Sequence, residues 1–297
     1  MPPMATEVWI PGRVGALYTR SIGHGPPLTV IHGGPDFDHG YLLPDLDRLA
    51  GMARLIYYDQ AGRGLSAEGV RAEDVSLGSD LEDLDRVREH FGLDATALLG
   101  HSFGAVLALE YATRHPDRVS HLILLNPAPA SSRDLDLFRA AYDARQGAAL
   151  VEQATIVDSP AYRTGDPEAV TARYRVHFGP ALHRTDDFER LMEHMHAGFV
   201  SQGSEGIAKA QAVEDCLMRD TWERPDFDLL PKLRGLAIPT LVVTGADDIV
   251  PVDVAAAIAD AIPGAELVVI PDCGHFCYLE RPSEVRAAVR RLLTSER

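Results

Sequence analysis

The feature that most restricts this chain is five residues long. Gly100-His101-Ser102-Phe103-Gly104 lies between a largely apolar run at 95–99 and a stretch of helical spacing at 105–115 that ends before Pro116. The short run reads as a buried strand and the longer stretch as a helix, with 100–104 as a tight turn between them. A strand that turns so sharply into a helix forces the serine into a strained backbone conformation. Side chains beside it would clash, which explains the two glycines. The hydroxyl then stands at a helix N-terminus, where the dipole favours developing negative charge. A plain helix-capping serine could carry the same five letters, so the pattern gains weight only from its surroundings.

Those surroundings alternate. Strand-like runs are expected at 7–10, 14–21, 28–31, 54–58, 95–99, 119–125, 240–244 and 266–270. Helices are expected at 80–91, 105–115, 252–262 and from about 282 to 294. Strands alternating with helices imply a mostly parallel sheet covered on both faces. Residues 127–236 break the rhythm, being helical in texture without a strong strand. The division expected is a core of 1–126 and 237–297, with 127–236 a helical cap over the C-terminal ends of the strands, where open α/β sheets place their sites.

A serine hydroxyl needs a base to become a nucleophile. His275 follows the run at 266–270 and is the only histidine after the cap segment. An acid must orient that base. Asp247 and Asp248 both follow the run at 240–244. Counting forward from Gly245 favours Asp248, the first choice; counting back from Pro251 favours Asp247, the alternative. Two N–H donors are needed for an oxyanion. Phe103, just after the serine, supplies one. Gly34, in His32-Gly33-Gly34-Pro35 at the end of the run at 28–31, is chosen for the other.

The chain has 297 residues and a net charge of -16, which disfavours nucleic acid and anionic lipid as partners. The first residues lack a secretory pattern, and no run has the ~18 apolar residues of a membrane span. Three cysteines, Cys216, Cys273 and Cys277, are an odd and sparse set that suits a reducing cytoplasm, with Cys273 and Cys277 as packing residues. His194 and His196 point to different sides of a helix without a partnering cluster at ligand spacing, so no metal is expected. No cofactor is called for, and Gly62-Arg63-Gly64 lacks a dinucleotide-binding register.

Together these residues resemble the α/β-hydrolase superfamily over essentially the whole chain. Two motifs resemble the proline iminopeptidase family within it: His32-Gly33-Gly34-Pro35 followed by His39 and Tyr41-Leu42, and Tyr58-Asp59-Gln60-Ala61-Gly62-Arg63-Gly64-Leu65-Ser66. The resemblance implies an eight-stranded-type sheet with a helical cap. It also implies release of an N-terminal residue, usually proline, from short peptides, with acidic cap residues holding the α-amine. Glu214 is a candidate anchor by its rough position. The chain departs from the family pattern at Asp36, where a glycine is usual, at Phe103, where Trp or Tyr is common, and at Ile249, where an acidic residue often stands.

The chemistry expected is an acyl-enzyme on Ser102, with His275 as general base and then acid. The leading substrates are small peptides or aminoacyl amides; the alternative is an ester, lactone or amide of an uncharged metabolite. A third reading, from another class, is a ligand-binding module that keeps these residues but barely turns over. A carboxylate pair near the substrate amine would favour the peptidase, and apolar walls the esterase.

Overall fold

In the computed structural model, which describes residues 4–294, the short apolar runs do form strands. They are β1 (Thr6–Pro11), β2 (Ala16–Ile22), β3 (Pro27–Ile31), β4 (Arg54–Tyr58), β5 (Thr96–His101), β6 (Val119–Leu125), β7 (Thr240–Gly245) and β8 (Glu266–Ile270). All eight make one sheet in the order β1-β2-β4-β3-β5-β6-β7-β8. β1 pairs antiparallel with β2 and β2 with β4; every pairing from β4 to β8 is parallel.

The central strands are largely apolar because both faces are covered. Along β6, Ile123 and Leu125 join one core, while Leu122 and Leu124 join the other. One core also takes α11 (Pro282–Thr294), through Val285, Val289 and Leu292. The opposite core takes α1 (Leu77–His90), α2 (Phe103–Arg114) and most of the buried face of α9 (Val252–Ala261).

Between β6 and β7 the described residues hold no strand. They form α3 (Ser132–Gln146), α4 (Ala149–Asp158), α5 (Pro160–Arg163), α6 (Pro167–Phe178), α7 (Thr185–Asp220) and α8 (Leu230–Leu233), and α7 is broken at Gly203. The last short helix, α10 (Cys277–Glu280), carries the buried Cys277. No helix among the described residues is long and apolar enough to cross a membrane.

The tight turn expected over 100–104 is shorter than that. Strand pairing persists to His101, opposite Leu125, and α2 begins at Phe103. Ser102 alone makes the turn, at φ 54° and ψ -121°. The glycines serve the approach of strand to helix: a Cβ at Gly100 would lie 2.4 Å from the Gly104 carbonyl oxygen, and one at Gly104 2.3 Å from that of Ile31.

The loops leaving β3 and β4 are held by a fully buried arginine. Arg63 donates to Asp80 Oδ1 of α1 at 2.6 Å, to Ala61 O at 3.0 Å, to Gln60 Oε1 at 3.3 Å and to Pro35 O at 3.4 Å. Removing one partner of a buried ion pair strands the other charge. Arg63→Ala is therefore expected to cost about 3–5 kcal/mol of unfolding free energy. The Arg63→Met/Asp80→Leu double variant, which strands no charge, should cost less. Urea denaturation of the two variants checks this, and equal losses would contradict it.

Candidate active site

Ser102 stands at the C-terminal end of β5, and the loops after β6, β7 and β8 converge on it. His275 Nε2 lies 3.0 Å from Ser102 Oγ, and His275 Nδ1 lies 2.8 Å from Asp248 Oδ1. A carboxylate only accepts, so the ring proton sits on Nδ1 and leaves the Nε2 lone pair facing the hydroxyl.

Asp248 is buried and heavily bonded. Its Oδ1 also accepts the Val250 N–H at 2.9 Å, and its Oδ2 accepts Asn126 Nδ2 at 2.7 Å and Thr244 Oγ1 at 3.3 Å. Burial pushes this carboxyl up. The His275 charge, its hydrogen bond and the donors Asn126 and Val250 outweigh that and hold it below the usual carboxylate range. The two aspartates lie differently: Asp248 faces the histidine, while Asp247 is exposed, with Oδ2 3.3 Å from His183 Nδ1.

Several supporting residues escaped sequence reasoning. Asn126, at φ 45°, ties the acid loop to the histidine loop by donating also to Gly274 O at 3.0 Å, and its Oδ1 accepts the Cys277 N–H at 3.2 Å. Glu280 accepts the N–H groups of Gly274 at 2.6 Å, His183 at 2.6 Å and Arg184 at 3.2 Å. Arg145, reaching down from α3, donates to the carbonyls of Asp247 and Asp248. A single asparagine after a strand, or an arginine on a helix, carries no local signal for such roles.

The loop after β3 passes directly over the serine: a Cβ at Gly33 would lie 3.0 Å from that of Ser102. The Gly33 N–H donates to Tyr41 Oη at 2.8 Å, Tyr41 Oη lies 2.7 Å from His101 Nδ1, and His101 Nε2 lies 2.9 Å from His275 O. Burial, then His275, push His101 down to about 3, so its ring is neutral and the relay runs one way, from Gly33 N–H to the His275 carbonyl. With Gly33 occupied, Gly34 at φ 119° is the free amide of the pair among the described residues. Phe103 is the first residue of α2, so its N–H has no intrahelical acceptor. Its ring packs edge-on against Trp222 at 5.5 Å.

Ser102 and His275 open into a cavity of about 200 Å³. Its walls are mainly apolar and aromatic, among them Phe37, Phe138, Tyr174, Phe178, Trp222 and Ile249. Glu214 of α7 does reach this wall, and so do Arg139 of α3 and Arg173 of α6. Asp36, the departure after Gly34-Pro35, is buried and bonded to Tyr174 Oη. Thiols Cys273 and Cys277 are buried and pushed up by that burial, away from nucleophilic character.

The alpha/beta hydrolase fold family model matches residues 26–282, and the chain belongs to that family. It resembles proline iminopeptidases over most of its length: that of Clostridium botulinum is 29% identical over 286 residues, covering 93% of each chain. Among solved structures, a proline iminopeptidase-related protein from Thermus thermophilus superposes with a TM-score of 0.70 at 24% identity, covering 98% of this chain and 97% of that one. The enol-lactonase from Burkholderia xenovorans superposes with a TM-score of 0.70 at 20% identity, covering 97% and 100%. The two superpositions are likenesses of fold.

Glu214 carries a pH signature. Burial first, and then Asp36, push its carboxyl from 4.5 up to about 8, with Arg173 offsetting part. A carboxyl raised on folding contributes fully below its unfolded pKa, and that contribution is lost as pH rises to the folded value. Glu214→Gln should therefore gain melting temperature over the parent progressively from pH 4.5 to 8 and then level off. Thermal melts across that range check this; a flat difference would contradict it.

Proposed function

We propose that this chain is a serine hydrolase cleaving a carboxylic ester or amide of a small molecule through an acyl-enzyme on Ser102. The observation that carries this is the hydrogen-bonded line Ser102–His275–Asp248, with the hydroxyl open to the cavity. In this reading His275 Nε2 takes the Ser102 proton as Oγ attacks the carbonyl carbon. The Gly34 and Phe103 amides bind the oxyanion. His275 then returns the proton to the leaving oxygen or nitrogen, and Asp248 stabilises the imidazolium in between. Water, deprotonated by the same nitrogen, attacks the acyl carbon and frees Ser102 with the carboxylic acid. Residues 127–236 act as the cap that decides which substrate reaches the serine.

The cavity wall supports an ester, lactone or simple amide. It offers one carboxyl group, Glu214, with Arg173 and Arg139 in the same wall, where an α-ammonium calls for carboxylates without competing cations. A second reading, release of an N-terminal residue, is favoured by Glu214 itself and by the proline iminopeptidase names of the similar curated proteins.

Short-chain aryl esters compared with prolyl and alanyl anilides, using Ser102→Ala as the blank, test both readings. Ester turnover should fall at least about a thousandfold in Ser102→Ala with the fold retained. Undiminished turnover in that variant would overturn the proposal, and prolyl anilide cleaved in preference to esters would select the second reading.

A further inference from the structure

Arg173 is a buried-stemmed cation that no acceptor meets among the described residues. Its guanidinium lines the cavity with Ser102 and His275, yet among the described residues it makes no hydrogen bond and no ion pair, and its Nε is shut from solvent without an acceptor. Arg63 shows the contrast, since its buried guanidinium is bonded to acceptors on three sides. A guanidinium has five donors in a planar fork, and leaving even the buried Nε–H unused is costly. The side chain is also held in place: its Cζ lies 4.3 Å from the centre of the Tyr174 ring, and Tyr174 is anchored in turn by Asp36.

Asp36 and Glu214 are the carboxyls whose fields support that charge, and among the described residues neither forms an ion pair with it. Asp36 is raised by burial, and its Oδ2 is already taken by Tyr174. Glu214, raised to about 8, is mostly protonated at neutral pH. Tyr142, Tyr162, Tyr174 and His177 are the other titratable groups close to Arg173, and none is anionic there: burial raises the three tyrosines and lowers the histidine. Arg139, 4.0 Å from Asp136, is the other arginine of the same wall. The chain as a whole carries -16, so a positive cavity wall reverses the sign of its surroundings where substrate would sit.

We infer that Arg173 receives a carboxylate of the substrate, so that the molecule cleaved at Ser102 is the ester or amide of a compound that also bears a free carboxylate. The inference rests on the serine-hydrolase reading for the word cleaved, but not for the binding. A planar fork facing a planar carboxylate gives two parallel charge-assisted hydrogen bonds, which fixes the orientation of the substrate as well as holding it. Arg173 is then a specificity residue, separate from the groups that move protons.

Binding and turnover test this separately. In Ser102→Ala, calorimetry should show monomethyl glutarate, a monoanion, binding at least about tenfold more tightly than neutral dimethyl glutarate. Adding Arg173→Met should remove that ratio, and Arg173→Lys should keep part of it. With Ser102 intact, the kcat/KM ratio of mono-4-nitrophenyl glutarate to 4-nitrophenyl butyrate should fall at least about tenfold in Arg173→Met. A merely structural arginine would lower both substrates together and leave the ratio unchanged.

Equal binding of the two glutarates to Ser102→Ala, or a ratio that survives Arg173→Met, would overturn the inference. If Arg173→Met did not fold, the parent ratio and Arg173→Lys would still decide it. Hydrolysis of neither nitrophenyl ester would count against the hydrolase reading alone, since calorimetry decides the anion site independently.

Discussion

A carboxylate taken out of water stays ionised only if its partners replace the water, and the Asp248 side chain is fully buried. Its partners come from several places: Thr244 on the preceding strand β7, the Val250 amide on its own loop, Asn126 after β6 and His275 after β8. Satisfying this one charge therefore draws the ends of three neighbouring strands together. Asn126 takes part in two of the joins, because its amide also holds the Gly274 carbonyl. The histidine ring is oriented as a result, with its free nitrogen toward Ser102.

The same economy links the core to the helices above it. The His275 N–H donates to Ala181 O at 2.6 Å, and a Cβ at Gly274 would lie 1.9 Å from that oxygen. Arg145 grips the acid loop from α3. Helices that form the cavity wall are thus fastened to the loops that carry the acid and the histidine, so access and geometry are set by the same contacts.

Much of this could be read before any coordinates. Strands at 54–58 and 119–125 matched to the residue, because strands buried on both faces are short apolar runs with sharp ends, and the half-exposed edge strand at 266–270 matched as well. Ser102 directly follows such a run and His275 lies in the loop after one, and the fold brings the two within 3.0 Å. The aspartate was ambiguous because Asp247 and Asp248 are neighbours with opposite exposure, and exposure depends on a loop path that no local pattern records. The two family motifs told less about substrate than their distinctiveness suggests. His32 Nε2 accepts the Gln60 N–H, His39 Nδ1 pairs with Asp59 at 2.6 Å, and Arg63 bonds Asp80, so these side chains brace loops instead of lining the cavity. Arg173 was invisible, since an arginine on an amphipathic helix looks solvated until the neighbouring helices are in place.

Intact-mass analysis after treatment with an alkyl fluorophosphonate, followed by peptide mapping, tests the nucleophile most directly. The account predicts one adduct per chain, on the peptide containing Ser102, formed slowly or not at all in His275→Ala and absent in Ser102→Ala. A folded protein that stays unlabelled, or an adduct on another residue that persists in Ser102→Ala, would contradict it.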